Sequence, residues 1–209
     1  MLKPREISQL ERLTGVARTL RRRASGRKPL PGLLFFTDPA RTPDPEAVLR
    51  RLPKGSGVVF RAFGAPDAFE QAARLRLIAK TRRLIFLVGA DARLAAAVKA
   101  DGVHLPERGV AQAAAIRRRH PTWLFTGAAH SPKALCKARR SGLDAAVLSP
   151  VFASRSPSAG APLGRVRFEA WIRAAGLPVY GLGGISERTA QQLRASRAAG
   201  LAAVDGLKP

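Results

Sequence analysis

Cysteine, acidic residues and long apolar runs are scarce in this chain of 209 residues, and each scarcity excludes a class of protein. The single cysteine, Cys136, rules out an internal disulfide framework and fits a reducing cytoplasm. Because Cys136 lies within a helical pattern, we expect it in the core. No apolar run approaches the length of a membrane span, and residues 1–28 carry scattered charges without the apolar stretch of a secretory signal. The sequence therefore predicts a cytoplasmic protein without a membrane partner.

Acidic side chains number 14 against 37 basic ones, which gives a formal net charge of +23. Such a surface attracts phosphates, nucleic acids and acidic membranes. An arginine-rich composition that solvates helix faces is the simpler explanation, because the basic residues are spread along the chain. Two clusters stand out, at 21–28 and 117–120, and the second ends a predicted helix, where positive charge complements the helix dipole. No basic motif interleaved with aromatic residues occurs, which argues against a nucleic-acid partner.

The order of the predicted elements indicates the fold class. Hydrophobic residues make up 46% of the chain, as in globular proteins. Short runs rich in β-branched and aromatic residues predict eight strands, at 32–37, 57–61, 84–88, 102–105, 123–126, 145–148, 179–182 and 202–204. Helical patterns separate them, at 45–51, 68–81, 92–99, 110–119, 132–140, 168–174 and 187–194. Eight such units predict an α/β fold of the compact (β/α)8 barrel type, with a doubly wound open sheet as the alternative.

A further helix is predicted before the barrel, at 7–20, with one apolar face formed by Leu10, Leu13, Val16, Ala17 and Leu20. A connector rich in glycine, proline and basic residues follows it. The sequence thus divides into a basic N-terminal helix and connector, 1–30, and a barrel domain, 31–209. The chain stops soon after the eighth strand, so we expect the last barrel helix to be missing. The apolar face of the N-terminal helix is available to cover the gap.

The turn Gly183-Gly184 carries the strongest functional signal from the residues alone. It follows an apolar strand, and Ser186 opens the next helix. Glycines at such a junction let a ligand approach the backbone N–H groups, and the helix start adds further donors. A phosphate site late in a (β/α)8 barrel is built in this way. The alternative is an ordinary tight turn.

Several stretches, in their order and spacing, resemble the thiamine phosphate synthase/TenI family over residues 33–207. They are Phe36-Thr37-Asp38, Arg61, Ala100-Asp101-Gly102-Val103-His104-Leu105, Gly127-Ala128-Ala129-His130-Ser131, Ser149-Pro150-Val151-Phe152-Ala153-Ser154-Arg155-Ser156 and Gly181-Leu182-Gly183-Gly184-Ile185. The resemblance implies thiamine biosynthesis, a transferase reaction and a possible homodimer. In the synthase branch, a pyrimidine diphosphate loses pyrophosphate with the help of Mg²⁺, and the nitrogen of a thiazole phosphate captures the resulting carbocation.

The positions that the resemblance assigns to metal and pyrophosphate have changed. Phe63 stands where the family has a lysine after Arg61. The aspartate that binds Mg²⁺ in the family corresponds to Ala90, and the second carboxylate corresponds to Gly109. We therefore predict no metal ligands, although Mg²⁺ is the family's cofactor. Asp91 and Glu107 lie close by in sequence, either as substitutes or as solvated loop carboxylates.

The expected phosphate-binding residues are Ser154, Ser156, Gly183 and Gly184. The two serines correspond to family threonines and keep a hydroxyl, whereas Asp205 replaces a family serine and would repel a phosphate. TenI-type members use a base near the end of strand six, where this chain has Ser149 and Pro150.

Arg61 and His130 are the candidate catalytic residues. Arg61 is expected to bind an anion or to pair with a carboxylate at the barrel mouth. His130 follows strand five, where catalytic groups collect, as a proton-transfer group or as a loop-packing residue. His104 is expected to be a satisfied structural residue. Two functions stay open: a divergent family member that acts on a small phosphorylated ligand, and a non-catalytic or regulatory paralogue that binds a metabolite or a macromolecule through its basic N-terminal segment.

Overall fold

The computed structural model describes residues 4–23, 28–154 and 160–205. Within these ranges no helix combines the length and the apolar character needed to cross a membrane. The predicted phosphate-binding Ser156 lies outside the described residues, as does everything after Asp205.

Eight parallel strands close into a barrel in which each strand pairs with the next along the chain. Pairing of Leu33 with Leu201 joins the first strand to the last, which excludes the open-sheet alternative. The strands are β1 (Leu33–Phe36), β2 (Gly57–Phe60), β3 (Ile85–Gly89), β4 (Gly102–Leu105), β5 (Leu124–Ala129), β6 (Ala145–Leu148), β7 (Val179–Gly181) and β8 (Gly200–Ala203).

The helices precede β1 or connect successive strands. They are α1 (Pro4–Arg23), α2 (Pro45–Arg51), α3 (Ala68–Thr81), α4 (Ala92–Ala97), α5 (Ala113–Arg119), α6 (Pro132–Arg140), α7 (Gly164–Ala174) and α8 (Glu187–Leu193). Side-chain caps define several starts: the carboxylate of Asp44 accepts from Ala47 N, and the hydroxyl of Ser131 accepts from Ala134 N, ahead of a proline in each case. A 3-10 helix, Glu107–Gln112, leads directly into α5.

Alternating side chains of the strands divide the core into two layers. Along β1, Leu33 and Phe35 pack with the helices, whereas Leu34 and Phe36 belong to an inner cluster without helical residues. Tyr180 is the largest buried side chain of that inner cluster, and its hydroxyl donates to the carbonyl of Pro31. Successive side chains of a strand point to opposite faces, so a filled interior and a covered exterior both follow from apolar strands.

The predicted strands and helices are all present, with local differences at their ends; β8, for example, begins at Gly200 instead of Ala202. β5 continues to Ala129 instead of ending at Thr126, which places His130 directly at its carboxyl end. The helix predicted at 110–119 begins as the 3-10 turn, and the one predicted to start at Phe168 begins at Gly164. The prediction of a core cysteine is wrong, because Cys136 is exposed on α6. Its neighbour Leu135 is buried instead.

Helix α1 packs against α8 and β8. The side chains of Leu13, Val16 and Leu20 on its apolar face are buried. The contact with the barrel is close: a Cβ atom on Gly32 would lie 2.7 Å from the carbonyl oxygen of Ala17. Glycine at that position therefore allows α1 to lie directly on the start of β1.

Candidate functional site at the barrel mouth

A cavity of about 1400 Å³ opens at the carboxyl ends of the strands, and the segments after all eight strands contribute to its lining. This end of a (β/α)8 barrel is where active sites are built, because each strand can deliver a side chain from its end or from the loop that follows. The predicted site residues that the structure describes, Arg61, His130, Ser154, Gly183 and Gly184, all line this cavity.

Gly183 and Gly184 form a turn that other residues cannot adopt without strain. Their φ angles are +94° and +63°, in the left-handed region. A Cβ atom on Gly184 would lie 2.3 Å from the carbonyl oxygen of Ala153, so the turn is packed tightly against the loop after β6. The carbonyls of Leu182 and Gly183 accept from that same loop, at Val151 and Phe152.

The backbone N–H groups of Gly183 and Gly184 are not used within the fold. They donate to no carbonyl or side chain in the described ranges, although both residues border the cavity. Unpaired backbone donors next to a cavity are ready to bind an anion or water. At Ser186, by contrast, the hydroxyl accepts from Thr189 N and the backbone N–H donates to the Thr189 hydroxyl, so this capping box orders the start of α8.

Arg61 pairs with a carboxylate, which is one of the two roles expected for it. Its guanidinium donates to the carbonyl of Thr37 at 2.8 Å and to Asp38 Oδ2 at 3.2 Å. Burial lowers the pKa of Arg61, and the charge of Asp38 acts in the opposite direction. The ring of Phe63, at the family's lysine position, lies 4.8 Å from the guanidinium carbon. Arg61 is thus held by its own protein environment.

Arg41 extends this ion-pair network to β8. It donates to Asp38 Oδ2 through Nε and Nη2, and its Nη1 lies 3.7 Å from Asp205 Oδ2. Burial raises the pKa of Asp38, but its hydrogen bonds and charge interactions with Arg41 and Arg61 outweigh that effect and hold the pKa below its usual value. Asp205 also lines the cavity that the glycine turn borders, with its Oδ1 atom buried and its Oδ2 atom directed to Arg41.

His130 has one ring nitrogen engaged and the other available. Its Nδ1 lies 2.9 Å from the carbonyl oxygen of Ser149, which can only accept, so Nδ1 carries the hydrogen. In the neutral ring this leaves the lone pair on Nε2, which no described residue contacts through a hydrogen bond. The ring is therefore anchored to the loop after β6, and His130 borders the cavity.

His104 is buried between the strands. Its Nδ1 shares a hydrogen bond of 2.9 Å with the Thr126 hydroxyl, and the ring packs edge-on against Phe36. Burial, with a smaller contribution from the nearby charge of Arg61, lowers the pKa of His104 to about 3. This histidine is neutral at physiological pH, and its hydrogen bond satisfies it as the sequence predicts.

The side chains present do not fit the family's Mg²⁺ site. Ala90 and Gly109 offer no oxygen ligand. The Oδ1 atom of Asp91 accepts from the backbone N–H groups of Arg93 and Leu94 at the start of α4, and Glu107 Oε2 accepts from the backbone N–H of His130. Among the described residues no three carboxylate, histidine or cysteine side chains converge as ligands. Asp91 and Glu107 are structural acceptors and are not merely solvated.

A family model described as thiamine monophosphate synthase matches residues 33–207. The chain belongs to the thiamine monophosphate synthase family. The family model covers all eight strands, and its match agrees with the motifs at the ends of β1, β4, β6 and β7.

Relatives within the family are similar at about 30% identity. A thiamine-phosphate synthase of Herpetosiphon aurantiacus is 31% identical over 172 residues, 78% of this chain and 81% of that protein. The thiamine biosynthesis bifunctional protein ThiM/ThiE of Symbiobacterium thermophilum is 34% identical over 143 residues, 68% of this chain but 30% of that protein. A relative in Aquifex aeolicus is 31% identical over 120 residues, 57% of this chain and 64% of its own length. The match thus spans less than two thirds of some relatives.

A solved structure, the thiamine phosphate pyrophosphorylase from Pyrococcus furiosus, has the same fold. It superposes with a TM-score of 0.70 at 22% identity and covers 82% of this chain and 84% of that chain. At this level of identity the structural similarity shows the barrel fold alone, and the function has to be argued from the side chains of the site.

Sequence reasoning missed four charged residues of the site. Arg41 and Asp38 complete the network around Arg61, and Arg93 and Arg108 also line the cavity, after β3 and β4. Asp38 stands in a family motif, which was a usable signal. Arg41 lies in a loop, Arg93 in the first turn of α4 and Arg108 in the 3-10 helix. In an arginine-rich chain no spacing rule separates such cavity residues from solvated ones.

Proposed function

We propose that this family member binds a small phosphorylated ligand at the Gly183-Gly184 turn and does not carry out the family's Mg²⁺-dependent departure of pyrophosphate. The observation that carries the first half is the pair of unused backbone N–H groups beside the cavity. Two oriented amide donors on a rigid turn bind a phosphate oxygen without needing a charged side chain. Ser154, and in sequence Ser156, would add hydroxyl donors.

The second half of the proposal rests on the metal positions. Mg²⁺ requires oxygen ligands in a nearly octahedral arrangement, and it is normally held by one or two carboxylates together with the substrate phosphates. Ala90 and Gly109 supply none, and the neighbouring Asp91 and Glu107 already accept backbone hydrogen bonds. A departing pyrophosphate would lack the metal charge that the family's reaction uses.

The residues that remain support binding and proton transfer. The phosphate of the ligand would lie at the glycine turn, and His130 would offer the Nε2 lone pair toward the reacting part of the ligand. Arg61 would shape the mouth through Asp38 and Thr37 instead of holding the ligand directly. A non-catalytic paralogue that binds a phosphorylated metabolite is the second candidate, and the altered metal positions are what favour it.

Residues 1–30 are proposed to complete the barrel of residues 31–209. In support, the apolar face of α1 is buried and packs on β8 and α8. The exposed arginines of α1, such as Arg18 and Arg22, would then be the contact surface of the regulatory alternative.

Substitution of Asp205 tests the phosphate site by a gain of affinity, which a misfolded variant cannot produce. Asp205→Ser removes a negative charge from the cavity lining and frees Arg41 from one ion pair. We expect thiazole phosphate, titrated by calorimetry at pH 7.5, to bind the variant about tenfold more tightly, which corresponds to ~1.4 kcal/mol.

Two control variants show whether an effect on affinity comes from the overall charge of the protein or from a change at the cavity. Asp44→Ser removes a carboxylate that lies outside the cavity lining and keeps a residue able to cap α2, so it should leave the affinity unchanged. Gly184→Ala should weaken binding at least tenfold, because its Cβ would displace the turn. Equal affinity of the wild type, Asp205→Ser and Gly184→Ala would exclude phosphate binding at this turn.

A further inference from the structure

Phe63 holds a backbone conformation in which glycine, asparagine and aspartate are the usual residues. The turn from Ala62 to Ala65 is closed by a hydrogen bond of 3.0 Å from Ala65 N to the Ala62 carbonyl. Its central residues, Phe63 and Gly64, have φ angles of +51° and +79°. A bulky side chain is strained in this left-handed region. Strain of this kind concentrates at ligand sites, so an aromatic residue that keeps it beside a cavity is a candidate for a binding role.

The other non-glycine residues with positive φ in the described part of the chain are Arg83, Ala90 and Lys99. Arg83 and Lys99 each follow the C-cap residue of a helix, where a left-handed conformation commonly ends the helix. Ala90 instead follows β3 and lines the cavity, as Phe63 follows β2 and lines it. Because β2 and β3 are paired neighbours, the strained cavity residues lie at adjacent strand ends.

The ring of Phe63 has one face covered and most of its surface exposed. The guanidinium carbon of Arg61 lies 4.8 Å from the centroid of this ring and 5.6 Å from that of Phe36, so Arg61 contacts both rings. Hydrogen bonds to Thr37 and Asp38 hold Arg61 in place. The guanidinium can cover only one face of Phe63, and the residue is 63% exposed. An open aromatic face beside a cavity is a surface on which a second planar ring can stack.

The side chains around Phe63 make this part of the mouth apolar. The apolar cavity residues after β2 and β3 include Ala62, Phe63, Ala65, Ala68, Ala90 and Leu94. Among the charged residues there, Arg61 pairs with Asp38, Asp91 caps α4, and Arg93 is exposed to solvent. Alanine, leucine and phenylalanine side chains offer a phosphoryl group no donor, so this part of the cavity fits the organic part of a ligand.

We propose that Phe63 forms the stacking surface of a ring subsite, so that the ligand of this cavity is a phosphate monoester whose organic part is a planar apolar ring. Phe63 would then select a ring at the position where the family has a pyrophosphate-binding lysine. The glycine turn follows β7 and Phe63 follows β2, with β8 and β1 between them, and both border the same cavity. Neighbouring strands lie about 4.8 Å apart, so a ligand that reaches both positions carries a spacer between its ring and its phosphate. The proposal rests on the proposed function, because the phosphate position is the Gly183-Gly184 turn.

Calorimetry with 2-phenylethyl phosphate and ethyl phosphate tests this subsite, because the two probes differ only in the ring. On the full chain in EDTA, the ring-bearing probe should bind about tenfold more tightly than ethyl phosphate. Phe63→Ala should lower that ratio of affinities at least about fivefold, the usual effect of removing a stacking aromatic residue. It should leave the affinity for ethyl phosphate within about twofold. Phe63→Trp keeps an aromatic face and should preserve the ratio.

Phe69→Ala is the matched control. Phe69 is also exposed, at 51%, but it lies on α3 and does not line the cavity. This variant loses an exposed phenyl ring elsewhere, so its ratio of affinities should equal that of the wild type. A loss of stability in Phe63→Ala would affect both probes alike, so the ratio reports stacking and not folding. An unchanged ratio in Phe63→Ala, or an equal fall in Phe69→Ala, would overturn the proposal.

Gly184→Ala separates the ring subsite from the phosphate turn. It should weaken both probes alike and leave their ratio unchanged, because the probes share the phosphate group. If Gly184→Ala weakens both probes while Phe63→Ala leaves the ratio intact, the ring subsite is refuted and the phosphate turn stands. If Gly184→Ala leaves both affinities intact while Phe63→Ala lowers the ratio, the ring subsite stands and the proposed phosphate site fails. Failure of both probes to bind the wild type would refute both.

Discussion

Protonation of His104 should make the stability of this barrel depend on pH in a defined way. The folded pKa is about 3 because the ring is buried near Arg61, whereas an unfolded histidine titrates near its ordinary value of 6.5. The unfolded chain therefore binds a proton that the folded chain excludes as the pH falls below 6.5. Stability from this group is complete above 6.5 and is lost progressively as the pH falls toward 3.

The magnitude follows from the two pKa values. Proton uptake by this one histidine in the unfolded chain lowers the unfolding free energy by about 2 kcal/mol between pH 7.5 and pH 5. Below pH 5 the unfolding free energy falls by about 1.4 kcal/mol for each further pH unit, until the pH approaches 3. His104→Gln removes the titration and keeps a hydrogen-bonding partner for Thr126. Its stability should decline less steeply over the same interval, with the remaining decline due to carboxylates.

Urea denaturation of both proteins from pH 7.5 to pH 4.5, with linear extrapolation to water, measures the difference. We expect the two stability curves to converge by about 2 kcal/mol toward pH 5 from their separation at pH 7.5. Curves that run parallel across this range would show that His104 can be protonated in the folded state without cost. The buried, neutral role assigned to this ring would then be wrong.

Three further variants test individual contacts. Arg61→Ala should lower the unfolding free energy by about 1–2 kcal/mol, because Asp38 and the Thr37 carbonyl lose a donor. It should change the phosphate affinity less than threefold. A tenfold loss of affinity at unchanged stability would show that Arg61 contacts the ligand. Tyr180→Phe should cost about 1–2 kcal/mol in urea denaturation, since the Pro31 carbonyl stays buried without its partner; an unchanged midpoint would contradict this. Asp91→Ala should lower the unfolding free energy by about 1 kcal/mol, because α4 loses its cap. Pyrophosphate binding should be independent of Mg²⁺ in both the variant and the wild type. If the wild type shows Mg²⁺-dependent pyrophosphate binding that the variant loses, Asp91 is a metal ligand.

The strand and helix pattern could be predicted because local signals agree with the fold. Apolar strands such as β6 alternate with helices whose starts carry a cap, such as Ser131, or a proline, and the eightfold repetition leaves few other architectures. The predictions that were wrong concern features that tertiary contacts determine. β5 gains three residues because its pairing with β6 continues to Ala129, and Cys136 is exposed because α6 turns Leu135 toward the core.

The site could be predicted only in part, for a physical reason. The turn at Gly183 and Gly184 can be predicted from the sequence, because its backbone conformation requires glycine. The partners of Arg61 cannot be predicted in this way, since Asp38 is 23 residues away in sequence and reaches Arg61 only when β1 and β2 pair. The roles of Asp91 and Glu107 depend on which backbone N–H groups face them, which no spacing rule provides.

We propose that this barrel keeps the phosphate turn and has lost the metal-dependent step. The most direct measurement is a turnover assay with the pyrimidine diphosphate and thiazole phosphate, run with Mg²⁺ and with EDTA, at ligand concentrations where calorimetry shows thiazole phosphate to be bound. We predict that thiamine phosphate does not accumulate above the uncatalysed background in either condition. Turnover that depends on Mg²⁺ would contradict the account and would require a metal site built from residues other than Ala90 and Gly109.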